Sequence, residues 1–387
     1  MNRDDFIEKA RALVPVLRER AAKTEAERRI SDATHKDFLD AHLYRMFQPA
    51  RFGGYEMDLA LMVDVAMEIG RGCGSSCWGL TNIAAQGWIQ GMHLPEVQEE
   101  IWGDNHAALI ASAFPGKGSS VKKVDGGMVV NGTWSFSSGV DFADWINLQI
   151  FLPKESGPPD HFYALVHKSD YEIVDDWYVT GLAGTGSRSI VLTEIFIPER
   201  RIQFTPNIKG GKSPGSVLNP SSLYKLPVFS IGLKHFSGTA IGIARGAVEL
   251  IEDDMRQRKT VTGVNLADQQ SVWLRIAEAG AEVDAAWALL TRDCADATRM
   301  ADAGIEPSVE QCLAWRRNDA FAGQLAVRAV ERLYSLTGGR GLSLNNPYQR
   351  MWRDVHAAVQ QMLMSWDVNA SNFGKVRMGL PFSDPRV

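Results

Sequence analysis

A chain of 387 residues, 45% hydrophobic and 22% charged, has ordinary globular composition and enough length for two or three domains without disulfide support. Its 41 basic and 46 acidic side chains give a formal net charge of -5, which leaves no basic footprint for nucleic acid; the densest basic run is Arg256-Gln257-Arg258-Lys259. Met1-Asn2-Arg3-Asp4-Asp5 leads straight into a charged amphipathic pattern, and no apolar stretch reaches the roughly 20 residues needed to cross a bilayer, so a cytoplasmic protein with no membrane contact is expected.

From Asp4 to about Asn105 apolar residues recur at helical spacing: Phe6, Ala10, Leu13, Val14 and Leu17 form one face, Phe38, Leu43 and Met46 another, and Leu59 to Ile69 a third. Cys73 and Cys77 lie one turn apart with no histidine at ligand spacing, and with Cys294 and Cys312 they read as buried reduced thiols, so no metal is expected. Between Ala107 and Thr205 the pattern becomes short apolar runs bounded by turn residues, including Ala108–Ala113, Met128–Val130, Trp145–Leu152, Phe162–Val166, Tyr171–Val174 and Ile190–Ile197. Asp125-Gly126-Gly127 and Asn131-Gly132 are tight-turn signals, and the absence of helical crossovers predicts an antiparallel β domain. A stretch rich in Gly, Pro and Ser follows, and then four long helical segments near Phe229–Arg258, Asp268–Met300, Val309–Leu336 and Pro347–Phe373. The expected fold is α+β: a helical domain at 1–106, a β domain at 107–205, a linker at 206–227 and a four-helix bundle at 228–387.

Three motifs flank this layout: Gly132-Thr133-Trp134-Ser135-Phe136-Ser137-Ser138-Gly139 with Asp144-Trp145; Gly181-Leu182-Ala183-Gly184-Thr185-Gly186-Ser187 leading to Ile195-Phe196-Ile197-Pro198; and Gly338-Gly339-Arg340-Gly341 with Gln349-Arg350 and Arg353-Asp354. In order and spacing the chain resembles the acyl-CoA dehydrogenase superfold, and more closely its oxygenase branch, the two-component flavin-dependent monooxygenases similar to p-hydroxyphenylacetate hydroxylase. The resemblance spans essentially the whole chain. It implies a central β-barrel, a homotetramer, and reduced flavin (FADH2 or FMNH2) supplied by a separate NAD(P)H-dependent reductase; no Gly-x-Gly-x-x-Gly follows a strand here, in keeping with reduction elsewhere. It also implies that Trp134, Phe136, Ser137 and Ser138 cover the flavin ring, with Ser137 nearest N5, and that Thr185 and Ser187 approach it from the second loop. Arg256 or Arg258 is a candidate clamp for its phosphate, although a solvated charge run at a helix end reads nearly as well.

The segment after Arg353-Asp354 lacks the Glu-Gly-Thr that supplies the α-proton base of acyl-CoA dehydrogenases, which leaves Glu249 or Glu252 as the remaining carboxylates for an FAD-dependent acyl-CoA dehydrogenase or oxidase. Where the oxygenases carry histidines, counting along the chain reaches Gln361 and Gln86, while their active-site serine falls on Ser112. An amide cannot act as a general base, so the expectation is hydroxylation or epoxidation, through a C4a-hydroperoxyflavin and O2, of an electron-rich aromatic of indole-like type before a phenol. Ser137, Gln361 and Ser112 are the catalytic candidates, and Trp78, Asn82, Gln86, His93 and Trp366 the substrate-pocket candidates. His106, His235 and His356 read as structural or exposed. A non-catalytic oligomeric scaffold is the third reading.

Overall fold

The computed structural model describes residues 1–208, 211–384 and 386–387; Lys209 and Gly210 of the expected linker lie outside the described residues. Five helices lead: α1 (Arg3–Glu27), α2 (Asp32–Asp40), α3 (Ala60–Gly72), α4 (Gly74–Gly91) and α5 (Pro95–Trp102). Asn2 and Asp5 close a capping box on α1, Ser31 caps α2, and Pro95 opens α5 with the residue type that needs no N–H partner there.

Eight strands follow: β1 (Ile110–Pro115), β2 (Ser120–Val124), β3 (Gly127–Ser135), β4 (Trp145–Leu152), β5 (Asp160–His167), β6 (Glu172–Val174), β7 (Ser189–Pro198) and β8 (Ile202–Phe204). They form one sheet ordered β6-β7-β3-β1-β4-β5-β8, with β2 beside β3. The sheet is an open path rather than a closed barrel. Among the described residues its two halves are joined by strand pairing only where Phe114 and Pro115 pair with Ser135 and Trp134. Nor is it wholly antiparallel, because β1 and β4 run parallel from Ile110↔Trp145 to Ala113↔Leu148. The crossover such a pair requires is made by the β2–β3 hairpin instead of a helix. Asp125-Gly126 is the predicted hairpin turn, with Gly126 at φ +74°, but Asn131-Gly132 lies inside β3, opposite an irregularity in β7 where Glu194 takes φ +49°.

Beyond the short α6 (Gly215–Leu218) and α7 (Val228–Ile231) come α8 (Lys234–Gln257), α9 (Gln270–Asp302), α10 (Val309–Tyr334), α11 (Pro347–Val359) and α12 (Trp366–Arg377). The expected fourth helix is thus broken. Gln361 adopts extended backbone and accepts from Leu363 N at 2.6 Å, while Met364 is buried against Gly323 of α10. α3 packs along α8 with Gly70 against Gly242; a Cβ on Gly70 would lie 2.8 Å from the Gly242 Cα, so the approach demands glycine. One apolar core runs from Phe6 through both sets of helices to Met364, and a second, dry core of Ala111, Val130, Trp134, Leu148, Val166 and Ile190 fills the β layer. Among the described residues no helix is long and apolar enough to cross a membrane.

Candidate active site

The loops after β3 and before β7 meet over α4 and are joined by a chain of hydroxyls. Trp78 Nε1 donates to Ser138 Oγ at 3.0 Å, Ser138 Oγ lies 2.7 Å from Ser187 Oγ, Ser187 Oγ 2.7 Å from Thr185 Oγ1, and Thr185 Oγ1 donates to Leu182 O at 2.8 Å. An indole N–H can only donate and a carbonyl can only accept, so the direction of every bond between them is fixed and each hydroxyl spends its one proton inside the chain. Leu182, itself in the left-handed region at φ +54°, donates its N–H to Asp354 Oδ1 at 2.6 Å. The chain therefore ties α4 to α11 through both loops. Asp354 is wholly enclosed, and burial pushes its carboxyl up to about 6 despite the Leu182 N–H.

Ser137 stands apart from this chain. It is fully buried and its Oγ has no partner, which makes it, among the described buried hydroxyls of the two loops, the one with a proton still to give. Beside it Phe136 takes φ +61° and is 60% exposed, its ring 5.9 Å from Trp177 and edge-on to it. A bulky residue held in that region is strained, and strain of this kind concentrates at ligand sites. An orphaned hydroxyl next to an exposed aromatic fits a planar heteroaromatic cofactor edge such as flavin.

Several expected roles change. Trp134 does not face a ring site: it is fully buried in the dry β core, sharing parity with Met128 and Val130, and its Nε1 donates to Gln149 O at 3.0 Å. Gly184 and Gly186 serve packing, since a Cβ on Gly184 would lie 2.8 Å from Thr24 O, and one on Gly186, at φ +57°, would lie 2.9 Å from Asp141 Oδ2. Arg256 is an exposed ion-pair partner of Asp253 at 2.9 Å and Glu252 at 3.3 Å. Arg258 instead reaches Leu336 O at 3.2 Å and Thr337 O at 3.1 Å, holding the chain just before Gly338. Glu249 is surrounded by Arg18, Arg71 and Arg245, and Glu252 is paired with Arg256, so both carboxylates left to an acyl-CoA dehydrogenase are engaged in ion pairs.

Of the pocket candidates, Trp78 packs on Phe236 with centroids 4.9 Å apart and Asn82 is bonded within α4 to Trp78 O. Gln86 is buried, its Oε1 accepting from Asn147 Nδ2 at 3.0 Å, and Ser112 pairs in register with Asn147. His93 is buried with Nδ1 on Leu94 N at 2.7 Å, Nε2 unpartnered, and burial lowering it to about 4. His235, on Gly232 O, is likewise lowered to about 4 by burial, and His356 pairs with Glu331 at 3.0 Å. Gln361 spends its carbonyl on Leu363 N, and Trp366 packs on Phe321 at 5.5 Å; among the described residues no hydrogen bond or ring contact joins either to α4 or to the two loops. Asn147 and Gln149 were not anticipated, although two amides alternating through the otherwise apolar Trp145–Leu152 were a readable signal. Open recesses of about 860 and 440 Å³ beside α9, around Trp287, share no residue with this site.

Residues 235–366 match the family described as acyl-CoA dehydrogenase, C-terminal domain. The chain is 33% identical over 378 residues to the flavin-dependent monooxygenase oxygenase subunit HsaA of Rhodococcus jostii, covering 97% of this chain and 99% of the relative. It is 33% identical to the oxygenase component of the FADH2-dependent resorcinol hydroxylase of a Rhizobium species, covering 94% and 92%. The crystal structure of the HsaA monooxygenase from M. tuberculosis superposes with a TM-score of 0.93 at 31% identity over the full length of both chains.

Proposed function

This chain belongs to the family of flavin-dependent monooxygenase oxygenase subunits, and from that membership we propose that it takes reduced flavin from a separate NAD(P)H-dependent reductase and oxygenates an electron-rich, non-ionised aromatic. When bound, the reduced flavin supplies the electrons that activate O2, and a C4a-hydroperoxyflavin is the oxygen donor this reading invokes. The observation that carries the reading is the unpartnered Ser137 hydroxyl beside exposed Phe136, with the Ser138, Ser187 and Thr185 hydroxyls already committed to one another. Ser137 donates to the flavin edge, Phe136 covers the ring, and the Ser138–Ser187–Thr185 chain holds both loops rigid; Ser112 and Gln86 face the substrate. Arg256 and Arg258 remain the candidate phosphate contacts of this reading, Arg256 exposed and Arg258 bonded to Leu336 O and Thr337 O.

Preference for an indole-like ring over a phenol follows from the amides at Gln86 and Gln361, neither of which can remove a phenolic proton. Exposed Val261, Trp273, Leu274, Leu342 and Leu344 support a homotetramer in which they become covered. The test is to mix purified protein and chemically reduced FAD or FMN with oxygenated buffer, follow the near-ultraviolet hydroperoxide absorbance, and analyse products from indole and from phenol. Absence of a persistent hydroperoxide with both flavins refutes the reading, and faster turnover of phenol refutes the substrate preference.

A further inference from the structure

Strand alternation gives β1, β4, β5 and β8 one dry face and one polar face. Ala111, Ile146, Leu148, Ile150, Ala164 and Val166 point into the dry core. On the opposite face the register sets Ser112 beside Asn147, Gln149 beside Tyr163, and Tyr163 beside Gln203, with His161 two residues along from Tyr163. α4 crosses this face. Gln86 meets Asn147 at one end, and Gln203 Nε2 donates to Met92 O at 3.4 Å just past the helix at the other, so Gln90 falls between them, one turn beyond Gln86. Phe229 of α7 closes the space, its ring 5.5 Å from His161 and 5.9 Å from Tyr163.

The polar atoms enclosed here are poorly satisfied. Both side-chain polar atoms of Gln90, Nδ1 of His161 and Oε1 of Gln203 have no hydrogen-bond partner, although the three residues are only 1%, 4% and 7% exposed. Buried amides left unpaired are destabilising, and their concentration on one face marks a place where a ligand supplies the missing partners. The set is also uncharged: His161 is lowered to about 3 by burial, with Arg386 adding to the effect, and the remaining groups are amides, a phenol and a hydroxyl. Among the described residues the ions that flank Phe229 are Arg386, 5.5 Å from its ring, and Arg316, bonded to its carbonyl; both are already paired with Asp384, at 2.9 and 3.2 Å.

We infer that this face is the distal half of the substrate compartment, and that it selects an uncharged aromatic carrying a second hydrogen-bonding group, a carbonyl, hydroxyl or carboxamide, over an aromatic carboxylate. The inference rests on the preceding reading, in which the reacting ring lies by Ser112 and Gln86. Gln90 and Gln203 can each offer a donor and an acceptor to a neutral polar group, whereas a carboxylate would enter a buried site with no unpaired cation.

The experiment compares matched probes on the intact protein by calorimetry: indole-3-acetamide against indole-3-acetate, and 4-hydroxyphenylacetamide against 4-hydroxyphenylacetate. The amide is expected to bind at least about tenfold tighter in each pair. Gln90→Met, of conserved volume, is expected to raise Tm by about 1–2 °C, and Gln203→Met, which also gives up the bond to Met92 O, to leave Tm within about 1 °C, while each weakens the amide at least about tenfold. Equal or tighter binding of the acids overturns the inference, as does a fall in Tm with amide affinity intact in both variants, which assigns the face to structural water. Wild-type hydroperoxide formation separates the two readings: if it forms while amide and acid bind alike, only this inference fails. If it does not form yet the amide preference holds, the oxygenase reading fails and the compartment stands.

Discussion

Asp354 offers the sharpest test of how the site is held, because it carries a charge problem and a loop anchor in one carboxyl. Its folded value of about 6 lies above the ordinary 3.8, raised chiefly by burial. The folded state therefore keeps the proton over the window from about pH 4 to 6 in which the unfolded chain releases it. The group's contribution to stability is full below that window and declines as pH rises through about 6. A displacement of about two units is worth ~3 kcal/mol from well below the window to well above it. With an unfolding entropy of about 2.1 cal/mol/K per residue, a chain of 387 residues converts this to about 4 °C. Asp354→Asn keeps an acceptor for Leu182 N–H and removes the titration. Thermal unfolding of wild type and variant at pH 4, where about 2.4 kcal/mol of the contribution is still present, and at pH 7.5 is therefore expected to show the Tm difference moving by about 3 °C in favour of the variant at the higher pH. The difference between the two proteins cancels the other carboxylates they share. An identical Tm difference at both pH values would refute the reasoning, since Asp354 would then be ionised in the folded protein throughout.

The hydroxyls of the two loops should separate by function. Ser138→Ala breaks the bonds to Trp78 and Ser187 and is expected to cost about 1–3 kcal/mol in denaturant unfolding, whereas Ser137→Ala, which breaks no side-chain bond, should leave stability within about 0.5 kcal/mol and shorten the hydroperoxide lifetime at least about tenfold in stopped-flow absorbance. Phe136→Ala removes an exposed ring held at φ +61°, so Tm should stay within about 1 °C while reduced-flavin affinity, measured anaerobically by calorimetry, falls about tenfold. Arg256→Ala should be within about 0.5 kcal/mol of wild type, and Arg258→Ala, which abandons Leu336 O and Thr337 O, should cost about 1–3 kcal/mol and weaken flavin binding; equal effects of the two would contradict their assigned surroundings.

Much of this arrangement is legible in the residues. Helical spacing before Asn105 and after Phe229, and the hairpin signal at Asp125-Gly126, come from local sequence, where one segment's pattern decides the outcome. The strand β2 escaped notice because Ser120–Val124 carries two lysines and stands at the sheet margin, so burial leaves no alternation in it. The direction of Trp134 is legible in its parity with Met128 and Val130, since the two-residue period of β3 carries it into the core and not toward the loop that follows. Arg256 shows the reverse case. Its i,i+3 and i,i+4 carboxylates, Asp253 and Glu252, were visible as a surface charge run, and the structure keeps them as one. The break at Gln361 was not legible, since no Gly or Pro marks it and the turn depends on Met364 finding Gly323 on another helix.

What the sequence could not express is how the site depends on elements far apart in the chain. Three helices anchor the second loop: Thr24 of α1 packs against Gly184, Trp78 of α4 reaches it through Ser138, and α11 takes Leu182 N–H on Asp354 and donates from Arg353 to Thr180 O. None of these contacts is local, and loosening the Trp78 or the Asp354 bond leaves polar atoms unpaired in a low-dielectric seam. The hydroxyl chain is therefore complete only when α1, α4 and α11 are all docked. Ser138, Ser187 and Thr185 spend their protons within that chain, and Ser137, buried beside them and outside it, keeps its own for a partner the chain does not provide.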